Sequence, residues 1–235
     1  MASIYLIRHG QASFGADNYD QLSPLGRRQA EVTGQYLRDA GIRLDAVYSG
    51  DLSRQLETAS LAVAQLADSP PHCIDARFNE MDNDAQIEHL LPAVLQRRPE
   101  LRPLVERGLG SSKDYQKIIE GVFNFWVSTE CRNHDIQSWG DYSSQVREGL
   151  RDLMLSEGAG KSVAVFTSGG TIATLVAQSL GLGGAHTYRF YEPVFNCSVT
   201  QLIYSRERVS LSYFNDRSFL QVAGARTGEE LVSYR

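Results

Sequence analysis

Ile4-Tyr5-Leu6-Ile7-Arg8-His9-Gly10 is the stretch from which the rest of the chain is read. Four apolar residues, two of them β-branched, run straight into a cation, an imidazole and a glycine. Such a run predicts a short buried strand that ends abruptly at Gly10. In open α/β sheets, ligands sit just beyond the carboxyl ends of the strands. Arg8 and His9 therefore stand where chemistry is expected, provided other parts of the chain bring partners to the same edge.

Working outward, Ser23-Pro24 predicts a helix entry, with the hydroxyl as cap and proline at the first turn. Leu25, Val32, Tyr36, Leu37 and Ala40 recur at helical spacing until Gly41. Leu44 to Gly50 reads as a second strand, Leu52 to Leu66 as a second amphipathic helix and His72 to Phe78 as a third strand. Strand, helix, strand, helix is the rhythm of a parallel sheet. From Asp84 to Glu130 the pattern turns wholly helical, with one stripe at Ile87, Leu90, Leu91, Val94 and Leu95 and another from Tyr115 to Trp126. The α/β pattern resumes with a helix over 141–156, a strand over 162–166, and a helix over 172–180 that follows Thr167-Ser168-Gly169-Gly170. Two last strands, 196–204 and 209–214, are joined by so short a connection that an antiparallel edge hairpin is expected. The final ten residues read as a mobile tail. The expected fold is a three-layer α/β sandwich. Its central sheet is mostly parallel with helices on both faces, and residues 1–235 form one domain, with a helical insertion over 84–140 lying over the site as a lid.

The chain has 235 residues, enough for one large domain with a sizeable core. Its net charge of −5 lacks the basic footprint of a nucleic-acid binder, yet a local arginine pair can still hold an anion. Cys73, Cys131 and Cys197 are odd in number and show neither metal spacing nor a disulfide framework, so a reducing, cytoplasmic setting is expected. Neither a signal peptide nor a membrane span is read in the sequence. No metal and no cofactor is expected.

Three predicted strand ends carry chemistry: Arg8-His9, Glu80 and Thr167-Ser168-Gly169-Gly170. Arg54, one turn into the second helix, joins them. Arginine gives bidentate hydrogen bonds to phosphate, and a glycine-rich helix start favours negative charge. An imidazole can serve as nucleophile and a carboxylic acid can protonate a leaving oxygen. The set points to phosphoryl transfer through a phosphohistidine.

With Arg8-His9-Gly10, the run Tyr48-Ser49, Leu52, Arg54, Thr58-Ala59 and then Phe78-Asn79-Glu80, the sequence resembles the histidine phosphatase superfamily, also called phosphoglycerate mutase-like. The resemblance implies His9 as the phosphorylated nucleophile, Arg8 and Arg54 as phosphate ligands and Glu80 as general acid. It also implies a second catalytic histidine where this chain has Ser168, ahead of Gly169. A serine there can cap the following helix or donate one hydrogen bond to a phosphoryl oxygen, but carries no charge. Among the other histidines, His72 begins a strand and is expected to face away. His89 and His134 lie in or near the insertion, and His186 lies in a later loop. The implied activity is hydrolysis of a phosphomonoester, on a small metabolite or a phosphoprotein, at a rate reduced by the loss of the second imidazole. The alternative is a degenerate member that binds phosphate or phosphoprotein without turnover. A mutase is disfavoured because Gly15 stands near the asparagine that the resemblance implies. Ser168 is not a serine-hydrolase nucleophile, since Phe166 occupies the position where the elbow requires glycine.

Overall fold

The computed structural model describes residues 2–13, 20–108, 112–132 and 135–234. The elements are β1 (Ala2–Arg8), α1 (Pro24–Asp39), β2 (Ala46–Ser49), α2 (Ser53–Val63), β3 (His72–Ile74), α3 (Asn83–Arg97), α4 (Arg102–Glu106), α5 (Ser112–Trp126), α6 (Trp139–Glu157), β4 (Ser162–Thr167), α7 (Gly169–Ser179), α8 (Tyr188–Tyr191), β5 (Val199–Ser205), β6 (Arg208–Asp216) and α9 (Ser218–Thr227). The strands form one sheet in the order β3-β2-β4-β1-β5-β6. The first four run parallel to one another, while β5 is antiparallel to β1 and β6 to β5.

Alternation along β1 feeds two cores. Ile4 and Leu6 point into a large cluster with Leu90, Ile118, Val146, Leu150 and Ile172, contributed by α3, α5, α6 and α7. Tyr5 and Ile7 point the other way, onto Leu37 of α1 and Ala59 and Ala62 of α2. A strand buried on both faces reads as a continuous apolar run rather than an alternating one, which accounts for the opening stretch. The α/β sandwich with a mostly parallel sheet and a C-terminal hairpin is therefore the observed architecture.

Local signals worked where they were strongest. The Ser23 hydroxyl accepts the Gly26 N–H at 3.0 Å to cap α1, and Gly41 takes the left-handed conformation, φ 70°, past its end. Gly10 and Gly26 pack so closely that a Cβ on Gly10 would collide with the Gly26 carbonyl, which draws the start of α1 tight against the end of β1.

Two expectations fail. The third strand spans only His72–Ile74 and is exposed. It pairs with β2 alone, and Asp75 then turns the chain by accepting the Arg77 N–H, so Ala76–Phe78 form a 3₁₀ turn. The C-terminal residues are not a mobile tail. Helix α9 forms, Phe219 stacks on Tyr36 at 4.3 Å, and Leu231 is buried beyond it. Gln29 Nε2 donates to the Leu231 carbonyl at 2.9 Å, and the Asn196 N–H donates to the Ser233 carbonyl at 3.1 Å. A docked segment needs only a few such anchors, and periodicity does not register them.

Candidate active site

The register of the parallel strands fixes the site. Arg8 lies opposite Thr167, and Ser49 lies opposite both Phe166 and Ile74. Four carboxyl ends thus stop at one level, so His9, Ser168, Gly50 and Asp75 follow at the same sheet edge. Over that edge opens a cleft of about 620 Å³, lined in part by Arg8, His9, Arg54, Glu80, Asn196 and Tyr234.

His9 is buried. Its N–H donates to the Thr167 carbonyl at 2.8 Å, which locks the backbone of the strand end to β4. The ring Nδ1 lies 2.8 Å from the Gly10 carbonyl, and a carbonyl can only accept, so Nδ1 carries the proton. Nε2 is then the lone-pair nitrogen, and it accepts from Arg54 Nε at 3.2 Å. Burial above all, with the charges of Arg54 and Arg8, holds the imidazole well below its ordinary pKa, against the opposing pull of the Gly10 carbonyl. A neutral His9 with its proton on Nδ1 is the result.

Arg54 is held by Asp20, whose carboxylate meets Nη1 at 2.6 Å. Asp20 also accepts the Ser53 and Arg54 N–H groups at 2.8 and 3.4 Å, capping α2, whose own N-cap residue Leu52 has no side-chain acceptor. Burial pushes the Asp20 carboxyl up, but the Ser53 N–H and Arg54 outweigh it and leave the pKa lowered. Arg8 Nη1 donates to the Tyr234 carbonyl at 3.0 Å and to that of Val194, whereas its Nε is buried with no partner among the described residues. Carbonyls orient the guanidinium without neutralising it.

Glu80 reaches back to the start of α7. Both carboxylate oxygens accept the Gly170 N–H, at 3.1 and 3.2 Å. Burial raises the carboxyl pKa, opposed by Arg54, the Gly170 N–H and Arg8. Gly170 is required for this approach, because a Cβ there would strike Glu80 Oε1 and the Met81 methyl. The nearby Tyr142 hydroxyl bonds to Thr171 at 2.9 Å, and burial together with the Glu80 charge pushes its pKa well up.

Ser168 behaves differently from either role expected of it. It occupies the N-cap position of α7, but its side chain caps nothing; Glu80 takes the Gly170 N–H instead. Ser168 is fully buried and does not line the cleft, and its Oγ accepts from Gln55 Nε2 at 2.8 Å. Gly169 is likewise off the cleft lining. A Cβ there would lie 3.1 Å from the Tyr191 ring and 3.8 Å from Arg8 Nε, so the glycine makes room for both.

Elsewhere, His72 faces away and its Nε2 bonds with the Ser49 hydroxyl at 2.8 Å. His89 and His186 are exposed and do not line the cleft; His134, like Gly15, lies outside the described residues. Asp20, Gln55, Asn196 and Tyr234 escaped sequence reasoning. Of these only Asp20 carried a usable signal, as an acid shortly before a helix whose own cap position is apolar. Cys197 is buried, its thiol pushed up to about 12, and it is no nucleophile. Among the described residues, no cluster of His, Cys, Asp or Glu could hold a metal, and no helix is long and apolar enough to cross a membrane.

A doubly covered α/β sheet with a buried histidine and two arginines lining a cleft at its carboxyl edge defines a class of site suited to an anionic ligand. The family model of the histidine phosphatase superfamily (branch 1) matches residues 4–108 and 104–217, and the chain belongs to that superfamily. Over 69 residues it is 33% identical to a phosphoglycerate mutase of Candida albicans, a match covering 27% of this chain and 28% of the mutase. Over 65 residues it is 42% identical to the mitochondrial serine/threonine-protein phosphatase Pgam5 of Drosophila virilis, covering 27% of this chain and 22% of that protein. The chain thus spans about a quarter of the length of these curated relatives. The fold is similar to the crystal structure of a phosphoserine phosphatase mutant from Entamoeba histolytica in complex with phosphoserine. The TM-score is 0.65 at 20% identity, covering 94% of this chain and all of the other.

Proposed function

We propose that this protein is a phosphatase that hydrolyses a small phosphomonoester through a phosphohistidine on His9. The observation that carries the reading is the fixed tautomer, which turns an unprotonated Nε2 toward Arg54, in a cleft that Arg8 also lines. Arg8 and Arg54 hold the phosphoryl oxygens, and Arg54 Nε exchanges His9 Nε2 for one of those oxygens as substrate enters. His9 Nε2 attacks phosphorus, the ester P–O bond breaks, and the departing oxygen takes the proton of Glu80, whose raised pKa suits a general acid. Water then attacks phospho-His9, giving its proton to the Glu80 carboxylate, and phosphate and free His9 result. A cleft of about 620 Å³ suits a small ester better than a protein surface. The cytoplasm is the proposed compartment, supported by three cysteines in the free thiol form. Helix α5 supplies Tyr115 and Ile119 to the cleft and α3 supplies Asn83 and Asp84, which supports the insertion acting as a lid.

One observation favours the second reading, a phosphate-binding member without turnover: Ser168 is tied to Gln55 and brings no charge to the phosphoryl group. Turnover of p-nitrophenyl phosphate from pH 4 to 8 separates the two. Activity that disappears in His9→Ala supports the phosphatase. A wild-type protein that is inactive yet stabilised by inorganic phosphate supports the binder.

A further inference from the structure

We infer that the cleft selects phosphomonoesters whose organic part is aromatic and carries no second anion. The inference rests on the phosphatase reading and concerns what lies beyond the phosphoryl group. Among the described residues lining the cleft, Arg8 and Arg54 are the only permanent cations, and both are committed to the floor beside His9. His9 adds no charge, because its ring is neutral. A substrate with a carboxylate or a second phosphate needs a further cation, and the lip offers the opposite sign: Asp82 and Asp84 at the start of α3, and Glu192 just past α8. Like charges brought together at a partly desolvated lip disfavour such a ligand, which is how a site rejects the wrong partner.

The wall between floor and lip is aromatic. Tyr115, Tyr191 and Tyr234 all line it. Two of the three are positioned without a ligand: Asn83 Nδ2 donates to the Tyr191 hydroxyl at 3.1 Å, Gln116 Nε2 donates to that of Tyr234 at 3.3 Å, and the Tyr234 ring packs edge-on against Phe195 at 5.5 Å. Rings held in advance offer flat apolar surface at little ordering cost, and an aromatic ring packs against them in offset or edge-on geometry.

The test compares benzyl phosphate, glycerol 3-phosphate and 3-phosphoglycerate on the wild-type protein, three esters with alkyl leaving groups. The expected order of kcat/KM is benzyl phosphate, then glycerol 3-phosphate, then 3-phosphoglycerate. The extremes should differ by at least about tenfold, the size of one unfavourable charge contact near a surface. In the double variant Asp84→Lys/Glu192→Lys, the ratio of 3-phosphoglycerate to benzyl phosphate should rise at least severalfold, through the KM of the acid. A wild-type preference for 3-phosphoglycerate, or a ratio unmoved by the charge reversal, overturns the inference. If none of the esters nor p-nitrophenyl phosphate turns over, the phosphatase reading fails on its own. Thermal-shift affinities for benzylphosphonate and phosphonoacetate then decide the selectivity, and tighter phosphonoacetate refutes it.

Discussion

Arg54 Nε donates to His9 Nε2 across 3.2 Å, so the guanidinium holds the lone pair of the imidazole before any substrate arrives. The consequence is a histidine that stays neutral into acid. Its folded pKa lies well below the ordinary 6.5, so as pH falls the unfolded chain binds the proton first. This contribution to stability is full above about pH 6.5 and declines from there to the depressed folded value. Urea titrations at pH 7.5 and 5.0 should therefore show a smaller acid-side loss in His9→Asn than in wild type. An equal loss in both proteins would mean that His9 titrates normally. Turnover of p-nitrophenyl phosphate should likewise show no acid limb near pH 6.5.

Asp20 holds the other end of the same guanidinium. Asp20→Ala removes an ion pair and the acceptor for two N–H groups at the start of α2. Losing a cap costs about 1–2 kcal/mol, which should appear as a lower denaturation midpoint. Asp20→Asn keeps an acceptor for the backbone and restores most of the stability. Both variants should lose about tenfold in kcat/KM, because a misplaced positioning group is costly at a reacting centre. If Asp20→Asn recovers activity as fully as stability, the carboxylate does not position Arg54.

Glu80 sets function against stability. Burial raises its pKa, so above that value the fold holds an ionised carboxylate at a cost, and the cost disappears as pH falls toward 4.5. Glu80→Gln keeps an acceptor for the Gly170 N–H without the charge. The variant should melt higher than wild type at pH 7.5 and no higher at pH 4. Its activity should fall by about 10²–10⁴ on alkyl phosphates and far less on p-nitrophenyl phosphate, whose leaving group needs no proton. An equal loss on both ester types would remove Glu80 from the role of acid.

The same acid can be displaced without being replaced. Gly170→Ala puts a methyl where Glu80 Oε1 now lies. Circular dichroism should report an intact fold, since alanine suits the first turn of a helix, while turnover of alkyl phosphates drops to the level of Glu80→Gln. Wild-type turnover in Gly170→Ala would show that the Glu80 contact with α7 is dispensable.

What the sequence made legible follows from how far apart the interacting residues lie. Arg8 and His9 are consecutive at the end of an apolar run, and Arg54 is the second residue of α2, so the strand end and the helix start that follows β2 bring them together. The Ser23 cap and the Gly41 stop are equally local. Asp20 meets Arg54 across 34 positions, and Tyr234 meets Arg8 across 226. Contacts of that kind depend on tertiary packing and leave no periodic trace. Glu80 is singled out by its motif, whereas its contact with Gly170 leaves no mark, because a glycine that clears space for a carboxylate looks in sequence like any helix start. The third strand was overextended because edge exposure shortens what apolar content suggests.

Ser168 is the position where a local reading misled most, and it yields the sharpest test. Its hydroxyl is buried against Gln55, whose Oε1 has no partner among the described residues. Ser168→His alone puts an imidazole into packed space, and overpacking of this kind costs about 1–3 kcal/mol. The single variant should therefore melt lower and gain little activity. Pairing it with Gln55→Ala opens the space vacated by the amide. If a second imidazole is what the site lacks, the double variant should turn over p-nitrophenyl phosphate about 10-fold or more faster than Gln55→Ala, approaching the 10²–10³ attributable to one preorganised hydrogen-bond donor. Phosphate trapped on His9 after a rapid quench in alkaline SDS, where the acid-labile P–N bond survives, should increase in parallel. A double variant that folds, as judged by its melting curve, yet turns over no faster than Gln55→Ala would show that Ser168 is not the limiting position.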